Sequence, residues 1–227
     1  MDVLKDMYRH FFKRFFDLVF AIVLLPFALI IVGIAAPFIH FSDGGPVFYY
    51  AFRRGKNGRV FRMFKLRTMR ENAEEIRDSD GSVYTGRVDS RVTRVGRVLR
   101  KLSVDELPQI FNVLRGDMSF IGPRPHLATT NYETLDEARK KRLTVRPGIT
   151  GYSQAYYRNS ITLDEKIKND CYYVDNLSFV LDTKILFKTV QTVITGRNVY
   201  SDSKEKRADD AVNPRETVEG VSDGKDN

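Results

Sequence analysis

Asp105 and Glu106 are adjacent carboxylates in the stretch Arg100-Lys101-Leu102-Ser103-Val104-Asp105-Glu106-Leu107-Pro108-Gln109, and Pro123-Arg124-Pro125 follows the run Gly116-Asp117-Met118-Ser119-Phe120-Ile121-Gly122. Paired acids beside cations suit phosphoryl transfer. A carboxylate can attack phosphorus and hold it as a mixed anhydride, which splits one difficult transfer into two steps. A neighbouring arginine can neutralise charge growing on the phosphoryl oxygens. Pro123 fixes its own φ, and Pro125 keeps Arg124 out of the helical region, so the Arg124 guanidinium starts from an extended, constrained backbone. A planar fork held in this way matches a phosphate. Arg100 supplies a second cation, five residues before Asp105.

The same residues have a purely structural reading. Ser103-x-x-Glu106 is a capping box, in which the Ser103 hydroxyl accepts from the third backbone N–H of a helix and Glu106 reaches back to the Ser103 N–H. Asp105 in the first turn would then serve the helix dipole. The helix predicted after it runs over 104–114, with Ile110, Phe111, Val113 and Leu114 as its apolar residues and Gly116 as its stop. Pro-Arg-Pro taken alone is a surface turn. The acid pair lying so close to the arginines is what favours chemistry.

Such a site needs a scaffold, and the chain can supply one. It has 227 residues, 42% of them hydrophobic, enough for one packed domain. The single cysteine, Cys171, excludes an internal disulfide and fits a reducing compartment. None of the three histidines, His10, His40 and His126, is near it in sequence, so a small buried residue is its expected role.

From Leu18 to Phe41 the chain carries no Asp, Glu, Lys or Arg. A membrane helix needs about 20 apolar residues, so this segment is long enough. Lys13 and Arg14 precede it, while Arg53, Arg54, Lys56 and Arg59 follow, so both ends ask for the cytoplasmic side. Pro26 removes a helix hydrogen bond mid-segment, and a bend there would return the helix to the face it entered. The prediction is a re-entrant membrane helix with the basic domain on the cytoplasmic face.

Gly44-Gly45-Pro46 breaks the chain, and two short strands, 47–50 and 60–67, are expected around the turn Gly55-Lys56-Asn57-Gly58. The second alternates apolar and basic residues, placing Arg62, Lys65 and Arg67 on polar faces. Residues 71–86 read as a polar, mobile loop. Arg91, Arg94, Arg97 and Arg100 then recur every three residues opposite Val92, Val95, Leu99 and Leu102, which predicts an amphipathic helix whose basic stripe could lie on anionic headgroups. A charged helix is expected over 132–143. Thr162-Leu163-Asp164-Glu165 is a second capping box, and Ser178 is placed to cap a last amphipathic helix, about 179–194, stopped by Gly196. Residues 201–227 lack aromatics and read as disordered. That tail holds eight acids and five bases, a balance of −3 within the chain's +8, so residues 1–200 carry +11.

Ser-Val-Asp-Glu-Leu-Pro-Gln, Gly-Asp-Met-Ser-Phe-Ile-Gly-Pro-Arg-Pro and Val145-Arg146-Pro147-Gly148-Ile149-Thr150-Gly151, in this order and spacing, resemble the bacterial sugar transferases, the monotopic phosphoglycosyl transferases. The resemblance covers about Lys13 to Asp182. It implies that Asp105 attacks the β-phosphate of a UDP-sugar, expels UMP and holds the sugar 1-phosphate until polyprenyl (undecaprenyl) phosphate collects it. It also implies that Glu106 binds Mg²⁺ or manages protons, and leaves open whether Asp105 touches the metal too. Lys65 and Arg67, in a Phe-Lys-x-Arg-Thr-Met run similar to the family's, become candidate phosphate partners, with Arg100, Arg124 and Arg146. Gln154, Arg158 and Asn159 stand where the family usually has Gln-x-x-Gly-Arg-Asn. Here Tyr157 replaces the glycine, bulk where nucleotide or sugar would sit. The re-entrant arrangement is likewise implied, although the family's break is commonly Ser-Pro and here it is Leu25-Pro26.

The expected architecture is α+β and helix-rich: a re-entrant membrane helix over 1–42, a small cytoplasmic catalytic domain with short strands over 43–200, and a charged tail over 201–227. Ser103, Pro108, Pro123 and Pro125 shape the site, and the expected partners are the UDP-sugar, polyprenyl phosphate and membrane lipids at the cytoplasmic membrane. The competing class is a membrane-anchored basic module that holds anionic lipid without catalysis. It would bind more weakly as salt rises and would depend neither on Asp105 nor on Mg²⁺. No nucleic-acid motif is present, and no nucleic-acid partner is expected. The sugar and the oligomeric state are open.

Overall fold

The computed structural model describes residues 6–74, 76, 84 and 89–195. Most of the polar loop over 71–86, Gly196 and the tail over 201–227 therefore lie outside the described residues.

A π-helical turn, Tyr8–Phe12, leads into α1, Lys13–Asp43, a helix of 31 residues. At the α-helical rise it is about 46 Å long, more than the roughly 30 Å of a bilayer's hydrocarbon. Both Pro26 and Pro37 lie inside it. The interruption expected at Pro26 is not a helix end: a proline removes one hydrogen bond and strains one turn, and packing on both sides keeps the helix going. That packing is a seam. Lys13, Asp17, Ala21, Ala28, Ala35 and Ile39 are buried along one face, and Leu25 and Val32 complete it. The seven-residue steps from Ala21 to Ala28 to Ala35 keep small residues on one side of two-turn intervals. On the other side Phe15, Ile22, Phe27, Ile30, Ile34 and Phe38 are exposed.

Lys13 and Arg14, expected as markers of the cytoplasmic side, also tie this seam to the globular part. Lys13 is buried and its Nζ pairs with Asp182 Oδ2 at 2.6 Å. Tyr8 Oη and Tyr173 Oη donate to the same Asp182 carboxylate at 2.7 and 2.8 Å. Arg14 donates to the carbonyls of Val113 and Leu114 at 2.6 and 3.1 Å. The start of α1 is thus bolted to the globular part.

β1, Phe48–Arg54, and β2, Val60–Leu66, form an antiparallel hairpin around a 3₁₀ turn at Lys56–Gly58, with Tyr49 opposite Lys65. α2, Arg94–Lys101, follows, capped by Thr93. A 3₁₀ segment, Val104–Gln109, passes directly into α3, Ile110–Arg115, which Gly116 ends at φ 85°. Then come β3, Ser119–Ile121, and β4, His126–Leu127, which pairs with the free edge of β1. α4 spans Glu137–Arg142 only, shorter than the helix expected over 132–143, because Asp136 caps it by accepting from the Arg139 N–H at 2.7 Å. β5, Gly148–Thr150, pairs in parallel with β3. α5, Tyr152–Tyr156, α6, Leu163–Asp175, and α7, Phe179–Thr195, complete the described chain. The Thr162 capping box forms in full. The result is helix-rich with a few short strands, as expected.

Two apolar clusters hold these elements to α1. Ala21 and Ala28 pack with Phe61 and Met63 of β2, Ile110 and Val113 of α3 and Met118. Ala35 and Ile39 pack with Leu66 and with Leu99 of α2.

Candidate active site

The capping box expected at Ser103–Glu106 is absent. Ser103 sits at φ 57°, in the left-handed region, and its hydroxyl caps nothing. The Glu106 side chain turns away from the Ser103 N–H toward β2, where its Oε1 accepts from Lys65 Nζ at 2.8 Å. A cap requires an extended backbone at the cap residue, and Ser103 does not have one. The expected single helix over 104–114 is accordingly a 3₁₀ turn followed by α3, with Pro108 inside the 3₁₀ turn.

This tight turn presents both carboxylates to one ring of cations. Asp105 is 8% exposed, and its Oδ2 lies 3.8 Å from Lys65 Nζ. Glu106 Oε1 is also 3.8 Å from Arg124 Nη1. Arg100 is aimed by its Nε, which donates to Thr68 Oγ1 at 2.9 Å. That contact depends on Gly96, since a Cβ there would stand 2.0 Å from the Thr68 carbonyl oxygen. Arg158, at φ 53°, donates from Nη2 to the idle Ser103 hydroxyl at 3.3 Å. Arg124 is held through its backbone. The Pro123 carbonyl accepts from the Gly148 N–H at 2.9 Å, and the Arg124 carbonyl accepts from Arg142 Nη2 at 2.9 Å. Its side chain remains 57% exposed, available to a ligand.

Burial and charge push the two acids apart. Burial raises the Asp105 carboxyl above its ordinary value, with Glu106 adding to the rise and Lys65, Arg100 and Arg124 opposing it. Burial also disfavours the Glu106 anion, but Lys65 and Arg124 together outweigh it and hold that carboxyl low. Titratable neighbours divided in this way take different roles in a reaction.

Lys65, Arg100, Arg124 and Arg158 therefore gather around Asp105 and Glu106, as the sequence leads one to expect. Arg67 and Arg146 have their partners elsewhere. Arg67 is buried and makes a two-pronged pair with Asp43, 2.8 and 2.5 Å, which ties the end of α1 to the segment after β2. Arg146 donates from Nε to the Gly116 carbonyl at 3.0 Å, at the far end of α3. Gln154 has its amide oxygen and nitrogen buried without a hydrogen-bond partner. Asn159 is half-buried beside Arg158. The Tyr157 ring leans on Tyr152 and Tyr156, 6.5 and 6.4 Å between centroids, so its bulk belongs to a tyrosine cluster with Tyr172.

Asp17 and Asp182 are functional supports that the sequence does not disclose. Asp17 accepts from Ser119 Oγ at 2.9 Å and from the Phe120 N–H at 3.0 Å, and so fixes β3, the strand that leads into Arg124. Its signal is an acid one turn into an apolar helix, and its partners lie 102 and 103 residues away. Cys171 is partly buried, donates to the Ala138 carbonyl, and has its thiol pushed up by burial, which accords with a structural residue.

The adjacent acids, ringed by cations, lie in a helix-rich fold with a long apolar helix, and comparison with known proteins gives the chain its family. The model of the family described as bacterial sugar transferase matches residues 8–196, and the chain belongs to this family. It is 43% identical over 188 residues to the sugar transferase EpsL of Bacillus subtilis, covering 82% of this chain and 89% of that one. It is 41% identical over 191 residues to the UDP-N-acetylgalactosamine-undecaprenyl-phosphate N-acetylgalactosaminephosphotransferase of Aeromonas hydrophila, covering 82% of this chain and 44% of that protein. The undecaprenyl-phosphate galactose phosphotransferase of Salmonella typhimurium is 36% identical over 207 residues, 84% of this chain and 42% of its own length. The chain thus spans most of EpsL and less than half of the other two.

Proposed function

We propose that this enzyme transfers a sugar 1-phosphate from a UDP-sugar to polyprenyl phosphate, releasing UMP, as the first membrane step of bacterial glycan assembly. The observation that carries the reading is the buried Asp105 beside Glu106, inside a ring formed by Lys65, Arg100, Arg124 and Arg158. A basic lipid-holding module would have no use for that acid pair.

In the first step an Asp105 oxygen attacks the β-phosphorus. A P–O bond forms to the carboxylate, the bond to the bridging oxygen breaks, and UMP leaves with the electron pair. In the second step an oxygen of polyprenyl phosphate attacks the same phosphorus, the acyl phosphate bond breaks, and Asp105 is restored as a carboxylate. Arg124, exposed and held by its backbone, meets the phosphoryl oxygens as their charge grows. Lys65 keeps Glu106 ionised and opposes the cost of burying the Asp105 anion.

Mg²⁺ fits this donor set. Among the described residues no three His, Cys, Asp or Glu gather as a ligand cluster, and Mg²⁺ takes one or two carboxylates and fills its shell with substrate phosphate and water. Glu106, with or without Asp105, would hold it, and it would neutralise phosphate charge.

α1 is, among the described residues, the helix long and apolar enough to cross a membrane. We read it as inserted from the cytoplasmic face and returning to it. Its buried seam runs from Lys13 to Ile39, so a perpendicular crossing would drag the charged domain into hydrocarbon. Cysteines placed at Met7 and Ser42 should both be labelled from the cytoplasmic side.

The deciding experiment measures UMP release from a panel of UDP-sugars with undecaprenyl phosphate and Mg²⁺, comparing the native chain with Asp105→Asn. Release that needs Asp105 and one sugar is expected. Undiminished release by the variant would overturn the nucleophile.

A further inference from the structure

A second gathering of cations lies at the other end of the segment that carries the acid pair. Four chain regions meet around the C-terminus of α3. Arg14 of α1 donates to the Val113 and Leu114 carbonyls. Arg146 donates from Nε to the Gly116 carbonyl. Arg9 donates from Nη2 to Thr144 Oγ1 at 3.3 Å, two residues before Arg146. Lys56 belongs to the hairpin turn, which is tied to the same stretch by the Asn57 N–H donating to the Leu143 carbonyl at 2.7 Å.

Around Asp105 and Glu106 the cations pair with carboxylates; here Asp17 acts on Arg14 only from a distance. Among the described residues, Arg9, Arg14, Lys56 and Arg146 form no ion pair, and their hydrogen-bond partners are carbonyls and one hydroxyl. The terminal nitrogens of Arg146 and the Lys56 ammonium have no hydrogen-bond partner among those residues. The ammonium of Lys56 is pulled below its usual value by burial, then by Arg146 and Arg9. The negative end of the α3 dipole offsets part of this repulsion, about half a unit charge. Most of the positive charge is left for a ligand.

We infer that Arg9, Arg14, Lys56 and Arg146 form a binding site, apart from the catalytic centre, for the phosphate of an anionic bilayer lipid. A phosphate group accepts several charge-assisted hydrogen bonds at once, and two arginine forks with an ammonium supply them. The lipid source follows from place. Arg9 and Arg14 sit at the start of α1 among the exposed Phe11, Phe12 and Phe15, side chains that acyl chains would cover, so the phosphate plane of a leaflet lies beside them. This inference rests on the membrane part of the proposed function and not on the transfer reaction.

The test is flotation of the full chain with vesicles of phosphatidylcholine alone and of phosphatidylcholine with 20 mol% phosphatidylglycerol. Lys56→Gln with Arg146→Gln is compared against Lys140→Gln with Lys168→Gln, which removes equal charge from α4 and α6. The first pair should lower the preference for phosphatidylglycerol about fivefold, and the control pair less than twofold. Lys56→Glu alone, at an exposed turn residue, should lower it in the same direction without a folding change. Equal losses in both pairs would mean diffuse charge attraction and overturn the site. Loss of the preference in inorganic phosphate, at ionic strength matched with chloride, would overturn the lipid and leave a free-anion site. Native chain that fails to float even with phosphatidylcholine would overturn the membrane reading and this inference together.

Discussion

Two of the chain's Ser/Thr-x-x-Glu sequences, Ser103–Glu106 and Thr162–Glu165, read as capping boxes at the start of a helix, and only one of the two is a helix cap. At Thr162 the backbone is extended, the hydroxyl accepts from the Glu165 N–H at 3.4 Å, and the Glu165 carboxylate returns to the Thr162 N–H at 2.8 Å. At Ser103 the backbone is left-handed, the hydroxyl receives Arg158, and the Glu106 carboxylate goes to Lys65. The difference lies in what surrounds each glutamate. Glu165 is on the surface with only Lys168 acting on it from a distance, so the local bond wins. Glu106 has a half-buried lysine and an arginine within reach, and a charge-assisted bond is stronger than a neutral cap. At Ser103 the tertiary contacts of the two side chains have displaced the local cap.

Exchanging the two glutamates is the strongest way to break this comparison. Glu106→Gln should lower kcat/KM about 100-fold or more, because it removes the carboxylate that orders Lys65 and Arg124, whereas Glu165→Gln should leave turnover unchanged. Steady-state UMP release measures both. A comparable loss in the two variants would show that the boxes do the same job.

The next effect is a shift in pH dependence. Asp105 must be ionised to attack, and burial places its pKa above the usual aspartate value, so the acid limb of kcat/KM should lie above about 3.9. Lys65 is the chief group opposing that rise, so Lys65→Gln should move the limb to still higher pH. A limb that stays in place or falls would contradict the assignment of Asp105 as the ionising group.

Smaller still are the caps themselves. Thr162→Ala should cost about 1 kcal/mol of stability, seen as a fall in Tm of about 2–4 °C, with activity intact. Ser103→Ala removes no cap, so its Tm should move by less than half as much, while KM for the UDP-sugar rises a few-fold as Arg158 loses its hydroxyl partner. A Tm loss at Ser103 equal to that at Thr162 would restore the capping box there.

Much of the fold was legible because it is written in short-range patterns. The apolar run became α1, the arginine repeat became α2, and Gly116 stopped α3, all from residues within a few positions of each other. The acid pair, Lys65, Arg100, Arg124 and Arg158 were legible as a site for a related reason, since long motifs preserve their order. Arg67 and Arg146 read as phosphate ligands from their neighbours in sequence, while the partners that the structure gives them, Asp43 and the Gly116 carbonyl, are set by tertiary packing. Lys13 and Arg14 carry the same lesson. Their charge reads as a topology marker, but Asp182 lies 169 residues away and the Val113 carbonyl 99.

The seam of α1 also sets an order of events in time. α1 is made before the elements it packs against: its alanines can meet Phe61 and Met63 early, but Ile110, Val113 and Met118 only after up to roughly 100 residues, about 5–20 s of synthesis. Until then its seam is only partly covered by protein. With the helix inserted as proposed above, lipid would be its first folding partner, and the rest of the fold would condense onto a helix already in the bilayer.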